Sequence, residues 1–149
     1  MAMTDNLPLA LHLSASQAEA LRRAAAEAYP HECCGLLAGE GETHIMVSDV
    51  VPTANIAKEP ARAFAIDPQA QFDLLRATRG TKNRVVGHYH SHPDGAAVPS
   101  SHDLDRAYDP EAIWVVLAVS AGKASPPRAF RHPEGRAGFV DVPLSIVGS

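Results

Sequence analysis

The chain lacks any pair of cysteines spaced to hold a metal or to cycle as a dithiol. Its two cysteines, Cys33 and Cys34, are adjacent, and disulfide geometry makes neighbours awkward to bridge. A buried strand position is the simpler expectation for at least one of them. A cysteine nucleophile stays open, because the chain has eight histidines that could partner it. The sequence also lacks a basic excess. Lys and Arg number 13 against 17 Asp and Glu, a formal charge of −4, which argues against a general nucleic-acid binder. The cluster Arg76, Arg79, Lys82 and Arg84 reads as a solvated helix end and loop. No apolar run approaches the roughly 20 residues that cross a bilayer. The N-terminal MAMTDNLPLALHLS has neither a basic leader nor a long apolar core. No membrane association is expected, and cytoplasmic residence follows by default. No repeat, coiled coil or linker breaks the 149 residues, so the expectation is one domain, 1–149, with a sizeable core.

What is present is concentrated in one segment. His88-Tyr89-His90-Ser91-His92-Pro93 is followed by Ser100 and then Asp103. Arg84 to Tyr89 (RVVGHY) is β-branched and aromatic around one glycine, which predicts a strand leading into the histidines. Strand side chains alternate, so His88, His90 and His92 would share a face. Pro93 turns the chain out of the sheet, Asp94 to Pro99 reads as a loop, and Ser100 to Asp103 opens a short helix. Histidines two apart plus a helix-borne carboxylate suit zinc, which takes imidazole nitrogen and carboxylate oxygen at about 2.0–2.2 Å and leaves a position to water in catalytic sites. Taken alone, Ser100-x-x-Asp103 is better read as a helix capping box. Three histidines on one strand face followed by a carboxylate favour a metal site.

The remaining punctuation alternates α and β. Leu7 to Leu13 reads as a strand, then Ser14 or Ser16 caps a helix to about Ala28, with Ser16-x-x-Glu19 a second capping-box pattern. Pro30 ends that helix, and Cys33 to Ala38 reads as a strand. Glu40-Gly41-Glu42 turns into a strand over Thr43 to Val51. Pro52 to Ala61 is irregular, and Arg62 to Ile66 reads as another strand. Asp67-Pro68 opens a helix to about Thr78. Strands follow at Ala112 to Val119 and Arg128 to Arg131, and Val140 to Ile146 either closes the sheet or packs outside it.

His90-Ser91-His92-Pro93, six residues, Ser100, two residues and Asp103 resemble the motif of the JAMM (MPN+) metalloprotease family. The segment Tyr29-Pro30-His31-Glu32-Cys33-Cys34-Gly35-Leu36-Leu37-Ala38-Gly39 is similar to the segment carrying that family's upstream glutamate, especially in small bacterial members. Asn55 and Phe64-Ala65-Ile66-Asp67-Pro68 are weaker echoes, and the likeness spans about residues 8–142. The resemblance implies an α+β fold, a single MPN-like domain with a mixed, curved β-sheet flanked by helices. It implies one Zn2+ per chain on His90, His92 and Asp103, with Glu32 moving a proton and Ser100 bonding the oxyanion. His88 becomes a residue supporting the ligands or lining the pocket, or a structural one. The implied activity is peptide or isopeptide hydrolysis after the C-terminal tail of a ubiquitin-like or sulfur-carrier protein. A phage-tail type of processing enzyme, a small-amide hydrolase and an MPN-type scaffold with a structural metal are the alternatives. The oligomeric state is left open.

Overall fold

The computed structural model describes residues 9–148. Its elements run β1 (Ala10–Ser14), α1 (Ala15–Ala28), β2 (Cys34–Glu40), β3 (His44–Thr53), α2 (Pro68–Thr78), β4 (Arg84–Pro93), α3 (Ser101–Asp105), β5 (Ile113–Ser120), β6 (Lys123–Ala124), β7 (Arg128–Arg131), β8 (Val140–Val142) and β9 (Leu144–Val147). The strands form one nine-stranded mixed sheet in the order β8-β7-β5-β4-β2-β3-β1-β9, with β6 paired to β5. β1 is parallel to both β3 and β9, β4 is parallel to β5, and the remaining pairs are antiparallel. The fold is α+β with a mixed, curved sheet, as expected.

The curvature follows from the end of the chain. β8 and β9 occupy opposite ends of the strand order, yet only Pro143 separates them. The sheet must therefore curl until its two ends approach each other. The segment Val140 to Ile146, read as one piece in the sequence, is two strands that serve both ends. The start of the first expected strand, Leu7 and Pro8, lies outside the described residues.

Each face of the sheet carries its own core. Leu11, Leu13, Leu37, Tyr89, Val115 and Leu117 face α1, which buries Ala18, Leu21 and Ala25 at helical spacing. Cys34, Phe64, Trp114, Val116 and Phe130 pack on the other face. The alternation Trp114, Val115, Val116, Leu117 between these clusters is the strand period of two. α1 is capped by Ser14, whose side chain accepts from the N–H of Gln17 while the Gln17 side chain accepts from the Ser14 N–H. The Ser16-x-x-Glu19 pattern is not the cap, because β1 runs through Ser14 and the helix begins at the next residue. Asp67 caps α2 with Pro68 inside its first turn, as read.

Two glycines are set by geometry. Gly41 has φ +104°, and closes the β2–β3 turn as anticipated. At Gly87 an added Cβ would lie 2.0 Å from the Ile113 carbonyl oxygen, so β4 and β5 pair only because that position is bare. Residues 62–66 are not a strand. Ile66 makes one isolated bridge to Asn55, and the Ala63 carbonyl and the Ala65 N–H bond to the Asn55 side chain instead of a neighbouring strand.

Candidate metal centre

β4 and β5 are parallel neighbours, so the chain must cross over between them. That crossover contains the 94–99 loop and α3, and it passes across the histidine face of β4. Ser100 caps α3: its Oγ accepts from the Asp103 N–H at 3.1 Å, and its own N–H donates to Asp103 Oδ2 at 2.8 Å. The capping box and the proposed ligand are thus the same carboxylate. Asp103 Oδ2 lies 3.2 Å from His90 Nε2 and 3.2 Å from His92 Nε2, and the two Nε2 atoms are 3.0 Å apart. His90, His92 and Asp103 therefore present three donor atoms at the corners of a nearly equilateral triangle.

Tautomer chemistry shows what such a triangle can hold. His92 Nδ1 lies 3.0 Å from the Ala96 carbonyl, an acceptor only, so Nδ1 carries the proton and Nε2 of the neutral ring offers a lone pair. That lone pair faces a carboxylate oxygen, an arrangement that calls for a proton or a cation between them. Zinc bound tetrahedrally at about 2.0–2.1 Å sets its donors about 3.3 Å apart, close to the 3.0–3.2 Å found. The pair His12–His44 makes the contrast. Its nitrogens are also 3.0 Å apart, but the rings lie within 18° of one plane, which suits an ordinary N–H···N hydrogen bond. The His90 and His92 rings are inclined at 68°, so their nitrogens converge at an angle. The residues present fit a zinc ion.

Glu32 reaches this place through register. Cys34 pairs with His90 in the antiparallel β2–β4 ladder. Carried two residues further, the register sets Glu32 opposite His92 and on the same face. Ser91 extends the pairing: its N–H donates to the Cys33 carbonyl at 3.2 Å, and its Oγ accepts from the Cys33 N–H at 2.8 Å. One carboxylate oxygen of Glu32 and one ring nitrogen each of His90 and His92 lie within 4.8 Å of one another. Asp103 Oδ2 is nearer to both imidazoles, so Asp103 fits the ligand position and Glu32 stands beside it.

Electrostatics separates the carboxylates. Burial pushes the Glu32 carboxyl up to about 7, opposed by the charge of His92. Burial also works against ionised Asp103, but when protons rather than a cation fill the space between the imidazoles and its carboxylate, hydrogen bonds from His90 and His92, joined by the Ser100 N–H, overcome it and hold this group below the usual carboxylate range. Glu32 can therefore gain and release a proton near neutrality, whereas Asp103 remains an anion.

The five residues expected from sequence, Glu32, His90, His92, Ser100 and Asp103, lie together. His88 shares their face. Its ring packs edge-on to Trp114 at 4.3 Å and tilted to Phe64 at 5.8 Å, and burial pushes it down to about 3. His102 is exposed at the rim of a cleft of about 430 Å³ that also touches Glu32, His92, Ser100 and Asp103. Cys33 and Cys34 are both buried and free. Sequence reasoning missed Ser91, and it marked Asn55 and Phe64 only as weaker echoes of the family, without a role; the Phe64 ring stacks on the His90 ring at 4.2 Å and 19°. A lone serine carries no spacing signal.

A family model, described as prokaryotic homologs of the JAB domain, matches residues 14–133. The chain is 36% identical over 97 residues to a desampylase of Haloferax volcanii, covering 65% of this chain and 69% of that protein. It is 36% identical over 124 residues to a probable TtuB-protein conjugate cleaving protease of Thermus thermophilus, covering 83% and 74%. A CysO-cysteine peptidase of Mycobacterium tuberculosis is 30% identical over 124 residues, covering 80% and 79%. Among solved structures, a protein of Desulfitobacterium hafniense superposes with a TM-score of 0.80 at 26% identity, covering 93% and 94%. A JAB1/MPN domain protein of Archaeoglobus fulgidus shares the fold, with a TM-score of 0.55 at 14% identity, covering 93% and 98%.

Proposed function

The chain belongs to the family of prokaryotic homologs of the JAB domain, and from that premise we propose that it is a zinc-dependent peptidase or isopeptidase. Its substrate in this reading is a ubiquitin-like or sulfur-carrier protein, cut after the C-terminal tail. The observation that carries the proposal is the convergence of His90 Nε2, His92 Nε2 and Asp103 Oδ2 within 3.2 Å of one another. The relatives named as a desampylase, a TtuB-protein conjugate cleaving protease and a CysO-cysteine peptidase support the substrate class.

His90, His92 and Asp103 would hold the ion, which supplies a water acidified to a pKa of about 7 and polarisation of the scissile carbonyl. The chain's own groups do the rest. Glu32, buried and poised near neutrality, takes the proton of the attacking water and returns it to the departing amine, a contribution of about 10²–10⁴-fold. Ser100 Oγ already accepts from the Asp103 N–H, so its hydroxyl proton is free to donate to the oxyanion, worth about 10²–10³-fold by comparison with other such donors. No covalent acyl-enzyme is needed. The cleft beside Glu32 is walled by Ala61, Ala63, Gly95 and Ala96. Such small residues leave room for an extended, glycine-rich tail while giving little purchase on large side chains.

The test pairs metal content with turnover of a linear fusion between a ubiquitin-like carrier ending in Gly-Gly and a reporter. One zinc per chain in the wild type and none in the His90→Ala, His92→Ala double variant supports the ligands. Glu32→Gln is expected to keep zinc and lose hydrolysis by at least about 100-fold. Equal metal in both proteins overturns the ligand set, and turnover retained in Glu32→Gln overturns the proton-transfer role. A short tail peptide cleaved as fast as the fusion would replace the carrier protein with a small amide as substrate.

A further inference from the structure

We infer that Asn55 is a positioning residue for this reaction, holding Glu32 and the wall behind His90 in one hydrogen-bonded unit. The inference rests on the peptidase reading above. Its Nδ2 donates to the carbonyls of Glu32 at 3.1 Å, Ala63 at 3.0 Å and Pro60 at 3.4 Å. Its Oδ1 accepts from the N–H groups of Ala57 and Ala65, both at 3.0 Å. Nδ2 meets only carbonyls and Oδ1 only N–H groups, so these partners fix the orientation of the amide and use its whole hydrogen-bonding capacity.

The consequences run in two directions. Toward the proton-transfer group, Glu32 is tied twice to the 55–66 loop, by its carbonyl to Asn55 and by its own N–H to the Pro60 carbonyl at 2.8 Å. Glu32 precedes β2 and has no ladder partner among the described residues, so the loop completes what the register begins. Toward the metal ligands, the same loop delivers Phe64, whose ring stacks on His90 and whose carbonyl accepts from the Arg106 guanidinium just after α3. One side chain therefore governs the reach of Glu32 and braces the ring of His90. No backbone ladder could replace it, since the loop makes a single bridge at Asn55–Ile66.

The decisive variants are Asn55→Asp, which keeps the shape but turns a second acceptor on three carbonyls, and Asn55→Ala. A displacement of about 1 Å at a reacting group costs on the order of 10²-fold. Both variants are expected to bind one zinc per chain, to hold KM for the linear fusion within about threefold, and to lose kcat by about 10–100-fold. In a Glu32→Gln background, Asn55→Ala should change the residual rate by less than about threefold, because no proton-transfer group remains to be placed. A folded, zinc-loaded Asn55 variant with wild-type kcat overturns the inference, as does an equal loss in the Glu32→Gln background. Hydrogen exchange of the wild-type protein decides the case even if the variants do not fold. Amides of Ala57, Ala65 and Glu32 protected like those of β2 support the tether, and exchange at open-loop rates overturns it. A fusion left uncut by the wild type would sink the peptidase reading and the catalytic use of Asn55 with it, whereas unprotected amides beside a fusion that is cut would overturn the tether alone.

Discussion

Replacing Ser91 with alanine isolates one buried bond in the strand that carries the proposed metal ligands. Ser91 is fully buried, and its Oγ accepts from the Cys33 N–H at 2.8 Å. The Ser91→Ala variant leaves that N–H buried without a partner, a penalty of about 1–3 kcal/mol. For a chain of this size each kcal/mol lowers Tm by about 2–4 °C, so a fall of about 2–12 °C is expected in thermal unfolding of the metal-free protein. The exposed Ser120, at the end of β5, is the control, and Ser120→Ala should stay within about 0.5 kcal/mol. Because Cys33 adjoins Glu32, the variant should also lose kcat, but only by about 3–10-fold, since Glu32 keeps its bonds to Pro60 and Asn55 while small displacements of a reacting group remain costly. Urea unfolding at constant m would confirm that stability itself has moved. A Tm within 1 °C of wild type would refute the reasoning, because it would mean that the Cys33 N–H is not sealed from water.

Two further outcomes follow from burial and charge. Glu32 in the metal-free protein should titrate near pH 7, read by the carboxyl resonance of labelled glutamate, and added zinc should lower that midpoint because a nearby dication favours the carboxylate; a midpoint near 4.5 without metal would contradict its burial. Burial pushes the Cys33 thiol up to about 11 and raises Cys34 as well, so neither should react with a thiol reagent in the native protein, and alkylation should leave turnover unchanged; rapid labelling with loss of activity would reinstate a cysteine nucleophile.

The strand of the three histidines was legible because each of its signals is local. β-branched residues before His88, alternation through His92 and the break at Pro93 define β4, and Ser100 with Asp103 marks the start of α3. Asp67-Pro68 and the 128–131 strand were readable for the same reason. The 62–66 segment misled, since its composition suits a strand while a distant asparagine takes the bonds a neighbouring strand would have made. Val140 to Ile146 was ambiguous because strand propensity does not say which edge a residue joins. Pro143 divides it between the two ends of the sheet. Glu32 stood out only by resemblance, as one of 17 acidic residues.

That last gap has a physical cause, and it explains how the site is assembled. Glu32 and His92 are far apart in sequence, and no periodicity links them. What joins them is the register of β2 on β4, with Cys34 against His90, Gly35 against Tyr89 and Leu36 against His88. A slip of one residue would turn Glu32 to the opposite face, toward the α1 core. Such a slip would also bring Gly35 out from beneath Tyr89, where an added Cβ would lie 2.3 Å from the ring. Any side chain brought there instead would clash. The bare position at Gly35 and the Ser91–Cys33 pair therefore select one register from within the core, and that register places Glu32 against His92. His90, His92 and Asp103 stand on β4 and α3, whereas Glu32 depends on a sheet register and on its two bonds to the 55–66 loop. Its placement is accordingly the part of the candidate site most exposed to mutation far from His90 and His92.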